Sequence, residues 1–257
     1  MNTQFERAAV SISPFILGAV MWEFVARSGT LPPAFFPDLL TIGQTFIELV
    51  QSGILLTSSL ATMGRLLLGF FFAVIFGIGV GLCMGRFQWA EDVLLPIVSI
   101  MYPIPALAYA PLFVLWFGLG DLPSVLMVAL GGFFTIAINT WKGVLAVKQI
   151  WIRSAEGMGA SQRMMFRQVI LPAALPYTLT GVRLGMGAAW RVLVGVEMLT
   201  AVDNGLGSLI FGAQKFLNTD VMLSGIIVIA ALGFTIEKLV FELIERRTLV
   251  RWGMMTA

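Results

Sequence analysis

The sequence has 257 residues, of which 58% are hydrophobic and 12% charged, and its formal net charge is +2. Soluble domains average about 25% charged residues, so this composition predicts a membrane protein with several spans and gives no basic footprint for nucleic acid. The chain has no His and a single Cys, which excludes a His-based metal site, a Cys–His nucleophile and an internal disulfide.

Six apolar segments are long enough to cross a bilayer, which takes about 20 residues as a helix. They predict an all-α fold with transmembrane helices at about 9–27, 58–84, 91–117, 121–142, 174–200 and 221–243. Between the first two, Asp38 is expected to cap an amphipathic helix at about 38–52, too short to span and suited to the membrane interface. The chain then divides into an N-terminal part (1–54), a core (55–245) and a tail (246–257).

Lys and Arg are distributed unevenly over the segments between the spans. One side carries Arg7, Arg86, Lys142, Lys148, Arg153, Arg163, Arg167, Arg246, Arg247 and Arg251, and the other carries Arg27 and Lys215. Because such an excess marks the cytoplasmic side, both termini and the loop 143–172 are predicted to be cytoplasmic.

The second span places Gly77, Gly81 and Gly85 at every fourth position. Small residues at this spacing let two helix backbones approach closely. The pattern favours tight packing within one subunit, and a seam between two copies is the alternative.

The third span contains four prolines, at positions 96, 103, 105 and 111. Each proline removes a backbone donor, which lipid tolerates only where protein or a cavity satisfies the freed carbonyl groups. A helix broken around Tyr102, Pro103 and Pro105 is therefore a candidate element of a solute pathway. A kink that serves packing alone is the alternative.

Charged residues interrupt the fifth span at Arg183, Arg191 and Glu197, and Arg65 interrupts the second. A charge at membrane depth costs about 2.5–3.5 kcal/mol and normally faces protein or water. Arg65 and Glu197 fall at the same depth and are predicted to pair. All three charges of the fifth span are candidate pathway residues. For Arg183 an inter-helix salt bridge or snorkelling is favoured, whereas Arg191 suits a salt bridge and an anionic substrate equally.

The loop 143–172 carries a spaced pattern: Gly159, nine residues, then Val169-Ile170-Leu171-Pro172. Gly159 is expected to end a short helix near 152–158, and Pro172 and Pro176 to stop the next helix before the fifth span. The pattern resembles the signature of ABC-importer permeases, Glu-Ala-Ala, three residues, Gly, nine residues, Ile-x-Leu-Pro. The Glu-Ala-Ala slot is occupied by Arg153-Ser154-Ala155. Two explanations of this departure are open: Glu156 takes the place of the missing glutamate, or the ATPase partner has changed to compensate for its loss.

Roughly residues 55–250 resemble one branch of that family, the nitrate/sulfonate/taurine-type permeases. The matching segments are RLLLGFFFAVIFGIGVGLCMGR, PIPALAYAPLFVLWFGLGD, ILPAALPYTLTGVRLGMGAAWRVLVGVEML and NGLGSLI. The resemblance implies a type I ABC-importer permease fold with a cytoplasmic coupling helix. The residues expected to contact the ATPase are Arg153, Ser154, Ala155, Glu156, Gly157, Met158, Gly159, Ala160, Ser161, Leu171 and Pro172.

The resemblance also implies a function: a multi-pass permease of the bacterial inner membrane that forms, as a homodimer, the pathway for a small anion such as a sulfonate, taurine or nitrate. An extracytoplasmic binding protein would deliver the solute. Two separate ATPase subunits would hold ATP and Mg, so the chain itself is expected to have no cofactor, no metal and no enzyme activity. A gradient-driven transporter and a membrane-embedded enzyme are the alternatives. The first is disfavoured by few intramembrane acids and no evident inverted repeat, the second by the absence of His.

Overall fold

The computed structural model describes residues 2–200 and 202–241, with side chains for residues 12–200 and 202–238. Over these residues the chain is helical throughout. Its helices are α1 Asn2–Arg27, α2 Leu39–Gln51, α3 Ile54–Arg86, α4 Gln88–Met101, α5 Ala110–Phe117, α6 Asp121–Leu145, α7 Gln149–Gly157, α8 Gln162–Met165, α9 Leu171–Glu197, α10 Leu206–Lys215 and α11 Thr219–Phe234. A 3₁₀ turn occupies Ala106–Tyr109, and π-helical turns occupy Phe166–Ile170 and Thr235–Phe241. The predicted tail 246–257 lies outside the described residues.

Four of the described helices are long and apolar enough to cross a membrane: Ile54–Arg86, Asp121–Leu145, Gln162–Glu197 and Thr219–Lys238. The segments Gln88–Met101 and Ala106–Phe117 meet at a bend of 88° and count as a fifth if they form one span. The predicted first span, 9–27, falls within α1, whose side chains are described only from residue 12. The protein is therefore an all-α membrane protein.

The fifth span differs most from its predicted bounds. Its helix begins at Gln162 and runs without interruption to Glu197, so the prediction that Pro172 and Pro176 stop a helix here is wrong. Ser161 caps the start, accepting a hydrogen bond from the Met164 backbone N–H at 3.3 Å. The π-helical turn Phe166–Ile170 then widens the helix just before Pro172, where a regular turn would clash with the proline ring.

Helices α3, α6 and α9 pack side by side and form the core, with α6 in the middle. Gly77, Gly81 and Gly85 of α3 all face α6. A Cβ atom at these positions would lie 2.8 Å from Ile136 and 2.6 Å or less from Thr140 and Val144. The glycine spacing of the second span therefore serves packing within one subunit, as the sequence favoured.

Helix α2 docks on the start of α11. The Thr45 hydroxyl donates to an Asp220 carboxylate oxygen at 2.6 Å. Asp38 caps α2 as predicted, accepting from the Thr41 backbone N–H at 2.8 Å. Hydrogen bonds from the Thr41 side chain and backbone hold the pKa of the Asp38 carboxyl below its ordinary value.

Candidate functional site

A buried polar network, which we call the Glu197 network, joins α3, α9 and α10. The Glu197 side chain is 0% exposed, and one carboxylate oxygen lies 2.7 Å from Nη1 of Arg65. The Thr62 hydroxyl lies 3.0 Å from both oxygens of this carboxylate. The backbone N–H of Gly207 donates to it at 2.9 Å. Arg65 and Glu197, paired by depth in the sequence, are thus in direct contact.

Two further bonds extend this network across the same end of the helices. Arg65 Nε lies 2.6 Å from a carboxylate oxygen of Asp121 at the start of α6. The Leu206 backbone N–H donates to the Thr62 hydroxyl at 2.9 Å. Gly205 and Gly207 lie just before α10 and in its first turn, a segment that we call the α10 loop. They let this segment approach α9 closely, since a Cβ atom at either would lie 2.7–2.8 Å from Glu197. Every charge here has a partner, which is how a buried ion pair offsets its desolvation.

A second feature on α9 is a cavity of about 330 Å³ beside the broken span. The break between α4 and α5 contributes Tyr102, Pro103 and Pro105 to its wall, and α9 contributes Arg191. Three predicted pathway residues from the third span and one from the fifth therefore line a single cavity. We call it the large cavity only to distinguish it from a smaller one on the same helix. Glu197 is not among the lining residues; it is enclosed in the Glu197 network instead.

Arg191 reaches this cavity as an exposed cation. Within the described side chains, no carboxylate oxygen lies within 4.0 Å of its guanidinium group. Of the two interpretations that the sequence left open, a salt bridge finds no support in this part of the chain. An uncompensated cation in a membrane cavity suits an anionic occupant.

Arg183 lies elsewhere, in a smaller cavity of about 170 Å³ between α9 and the end of α11. One of its guanidinium nitrogens is 3.8 Å from a carboxylate oxygen of Glu237, so an inter-helix ion pair is present, as favoured from sequence. We call this the small cavity. Arg191 lines it as well.

The predicted ATPase-contacting segment forms α7 and a tight turn. At its end the Ala160 N–H donates to the Ala155 carbonyl oxygen at 3.0 Å, and the Gly159 N–H to that of Glu156 at 2.9 Å. These two bonds are the Schellman arrangement, which needs a left-handed residue; Gly159 supplies it with φ of +78°.

The outer side of α7 is exposed, whereas its Ala155 is buried. The exposed residues include Arg153, Ser154, Glu156 and Met158, the last 81% exposed. Leu171 and Pro172 lie further along, inside the helix that begins at Gln162. Arg86 at the end of α3 donates to Gln162 at 2.5 Å, which ties the turn after α7 to a second span.

Comparison with known proteins decides the family. The sequence profile of the family described as "Binding-protein-dependent transport system inner membrane component" matches residues 69–250. The chain belongs to this family. It is thus a non-catalytic permease subunit of a binding-protein-dependent ABC importer of the inner membrane, a class of subunit that carries no cofactor, and the alternatives of a gradient-driven transporter and an enzyme fall away.

The permease is 36% identical over 236 residues to the taurine transport system permease protein TauC of Escherichia coli K12, covering 90% of this chain and 86% of that protein. It is 34% identical over 239 residues to the putative aliphatic sulfonates transport permease protein SsuC of Bacillus subtilis 168, covering 93% and 85%. The permease chain of the inward-facing MetNI methionine ABC transporter superposes with a TM-score of 0.66 at 19% identity, covering 77% of this chain and 97% of that one. This last likeness concerns the fold.

Sequence reasoning missed several members of these sites. Thr62 lies three residues before Arg65 and therefore on the same helix face, a signal that could have been used. The N–H of Gly207 leaves no mark in a sequence, because every non-proline residue has one. Glu237 falls in the predicted sixth span, where it and Glu242 are the two acids among mostly apolar residues, and this was a usable signal.

Proposed function

We propose that the permease conducts a small solute with an anionic sulfonate group, of the taurine or aliphatic sulfonate type, through the large cavity. The observation that carries this proposal is the exposed Arg191 guanidinium beside the broken span, with no carboxylate within 4.0 Å in the described part of the chain. The names of the taurine and sulfonate relatives support the same solute class. The fork of N–H donors on a guanidinium can donate two parallel hydrogen bonds to two oxygens of one sulfonate group, as it does to a carboxylate or a phosphate.

A second copy of the chain completes the pathway in this proposal. In one copy alone, Arg191 and Tyr102 are exposed on the side of the bundle. An arginine facing lipid would cost about 2.5–3.5 kcal/mol, whereas a facing copy would place the cation in an enclosed aqueous channel. Two permease copies, two ATPase subunits and one binding protein per complex are therefore expected, and native mass spectrometry of the purified importer counts them.

The orientation follows from the positions of the charges. Arg86, Lys148, Arg153 and Arg163 gather at the α7 end of the bundle, where Arg86 contacts Gln162. We place that end, with both termini, in the cytoplasm, because basic residues between spans favour that side. The Glu197 network then faces the outside, where the binding protein docks.

Helix α7 is proposed as the contact for the ATPases. It is exposed along Arg153–Ser154 and at Glu156, and it leads through one tight turn into the helix that starts at Gln162 and carries Arg191. That helix has 36 residues, a length of about 54 Å. A displacement of α7 by closing ATPases would thus reach the large cavity through one continuous element.

Uptake by the reconstituted importer tests the proposed solute. Proteoliposomes holding the permease, its ATPases and its binding protein should accumulate radiolabelled taurine when ATP is inside. Accumulation should stop when the catalytic glutamate of the ATPase is replaced, and an analogue in which a sulfonamide replaces the sulfonate, and which therefore has no negative group for Arg191, should not compete. Competition by that sulfonamide analogue, or equal accumulation without ATP hydrolysis, would contradict the proposal.

A further inference from the structure

The face of α9 that lines the large cavity continues to a second cation. Arg183, Gly187 and Arg191 follow one another at intervals of four residues, so successive members are offset by only about 40° around the helix. The two arginine Cα atoms are therefore about 12 Å apart along one face. All three residues line the small cavity, and Arg191 also lines the large one.

Gly187 keeps the space between the two arginines open. A Cβ atom at this position would lie 3.6 Å from Nη1 of Arg191. The Arg191 side chain therefore leans along α9 towards Gly187 and Arg183, the direction in which helical side chains normally point. A side chain longer than a methyl group at position 187 would press against the Arg191 guanidinium, the group that lines both cavities.

Arg183 is matched by a loosely held carboxylate. Glu237 lies 3.8 Å from it, beyond hydrogen-bonding distance, and the two side chains are 38% and 71% exposed. An ion pair of this length and exposure contributes little to stability, because solvent screens it. An incoming anion can therefore compete with Glu237 for the Arg183 guanidinium.

We infer that α9 carries a two-step anion path, in which a solute anion held by Arg191 in the large cavity passes to Arg183 in the small cavity and competes there with the Glu237 carboxylate. This inference rests on the proposed function. Conduction requires sites that attract an ion but release it, and adjacent weak sites meet that condition better than a single strong one. Gly187 provides the passage between the two.

Charge-selective cysteine labelling tests the path without knowledge of the solute. The native Cys83 is replaced by Ser, and a thiol is placed either in the small cavity by Gly187→Cys or in the large cavity by Ala188→Cys. The assembled importer in nanodiscs is treated with sulfonatoethyl methanethiosulfonate, an anion, or trimethylammonioethyl methanethiosulfonate, a cation. Mass spectrometry of the permease gives the rate of each reaction, and their ratio is the anion preference.

The structure fixes the expected pattern. Both positions should prefer the anionic reagent. Arg191→Gln should lower the preference about tenfold at both positions, because Arg191 borders both cavities, while Arg183→Gln should do so at Gly187→Cys and far less at Ala188→Cys. Glu237→Gln should raise the preference at Gly187→Cys, because it removes the competing carboxylate.

Other patterns overturn the inference. Equal rates for the two reagents, or an anion preference that survives both arginine substitutions, would show that the cavities do not select anions through α9. Failure of both positions to react would show that water does not reach them. An unchanged preference in Glu237→Gln would rule out the competition.

Labelling and uptake separate the inference from the proposed function. The expected labelling pattern together with no taurine uptake by wild type would support the anion path and reject the taurine or sulfonate solute. Taurine uptake together with equal labelling by the two reagents would support the proposed solute and reject the anion path. If Gly187→Cys prevents assembly, the test uses Ala188→Cys with and without Arg191→Gln. The same anion preference in both of these variants would contradict the path.

Discussion

Two charged residues of α9, Glu197 and Arg191, lie in opposite environments. Glu197 is fully buried and is held by Arg65, Thr62 and the Gly207 N–H. Arg191, six residues earlier, is exposed in a cavity, and no described carboxylate oxygen lies within 4.0 Å of it. In the sequence both are single charges inside an apolar segment, and only Glu197 has a predicted partner, Arg65. The structure gives Glu197 several partners that join helices, whereas Arg191 is the residue that we propose contacts the solute.

The contrast also explains why the two features lie on different sides of one helix. Six residues turn an α-helix by about 240° beyond one full revolution, so Arg191 and Glu197 point about 120° apart. One side of α9 therefore faces α3 and the α10 loop, and the other faces the broken span. The face of α9 that packs against its neighbours and the face that we propose contacts the solute are therefore separate, and a substitution can change one without the other.

The largest effect is expected from breaking the Glu197 network. Arg65→Met leaves the Glu197 carboxylate buried without its cation and should lower the free energy of unfolding by about 3–5 kcal/mol. Reversible unfolding in bicelles with increasing SDS measures this. The double variant Arg65→Met/Glu197→Met should recover part of the loss, because it removes the unpaired buried charge, although the Gly207 N–H and the Thr62 hydroxyl then lose their acceptor. Equal stability of the single variant and wild type would mean that the pair contributes nothing.

The complementary change removes the exposed cation. Arg191→Gln should leave the free energy of unfolding within about 0.5 kcal/mol of wild type, because no carboxylate of the described residues lies within 4.0 Å of Arg191. It should reduce solute uptake by about 10- to 100-fold, the equivalent of a charge-assisted hydrogen bond of about 1.5–3 kcal/mol. Uptake in proteoliposomes is the readout, and Arg191→Lys, which keeps the charge, should retain part of it. An Arg191→Gln variant that unfolds more easily than wild type but takes up solute at the wild-type rate would contradict a solute-contacting role for this face of α9.

The packed side of the bundle can be probed with two neighbouring glycines of α3. A Cβ atom at Gly81 would lie 2.6 Å from the Ala137 carbonyl oxygen, whereas one at Gly79 would meet nothing within 4 Å. Gly81→Ala should therefore cost about 1–3 kcal/mol through overpacking, and Gly79→Ala should cost nothing or stabilise slightly. The same SDS titration compares them. A similar loss in both variants would point to an effect other than contact with α6.

A smaller effect is expected at the ATPase end. Gly159 has φ of +78°, so Gly159→Ala should cost about 1 kcal/mol and loosen the turn after α7. Affinity of the permease for its ATPase, measured by titration in nanodiscs, should fall severalfold. Gly79→Ala is the control, because Gly79 lies in α3, outside the predicted ATPase contact, has no positive φ, and nothing lies within 4 Å of its added Cβ. Loss of affinity in the control but not in Gly159→Ala would exclude the turn as the cause.

Much of the fold could be read from the sequence, because the bilayer imposes a simple requirement. A helix that crosses lipid must be apolar for about 20 residues, which located α3, α6, α9 and α11. Prolines located the break of the third span, and depth matching brought Arg65 and Glu197 together. These inferences succeeded because each depends on position along a helix and on nothing else.

The remainder depends on contacts that no single segment encodes. The helix continues past Pro172 because a π-helical turn precedes that residue, and nothing in the local sequence of Phe166–Ile170 distinguishes this turn from a regular one. The sequence does not distinguish Gly187 from the other glycines of the fifth span, and only the structure shows that the Arg191 guanidinium lies beside it. The arrangement of the small cavity likewise requires the end of α11, which is distant in sequence from α9.

The position of the Glu197 network restricts how α9 can move. Its hydrogen bonds to α3 and the α10 loop clamp one tip of the helix and resist both axial rotation and sliding. The continuous helix that contains α9 has its opposite tip at Gln162, where a short turn joins it to α7. If α7 is pushed while the Glu197 tip stays fixed, this helix can only swing, and a tilt of about 5° over its length of about 54 Å shifts the Gln162 tip by about 5 Å. Arg191 lies six residues from the fixed tip, so the cation would stay almost in place while the α7 end of the bundle moves.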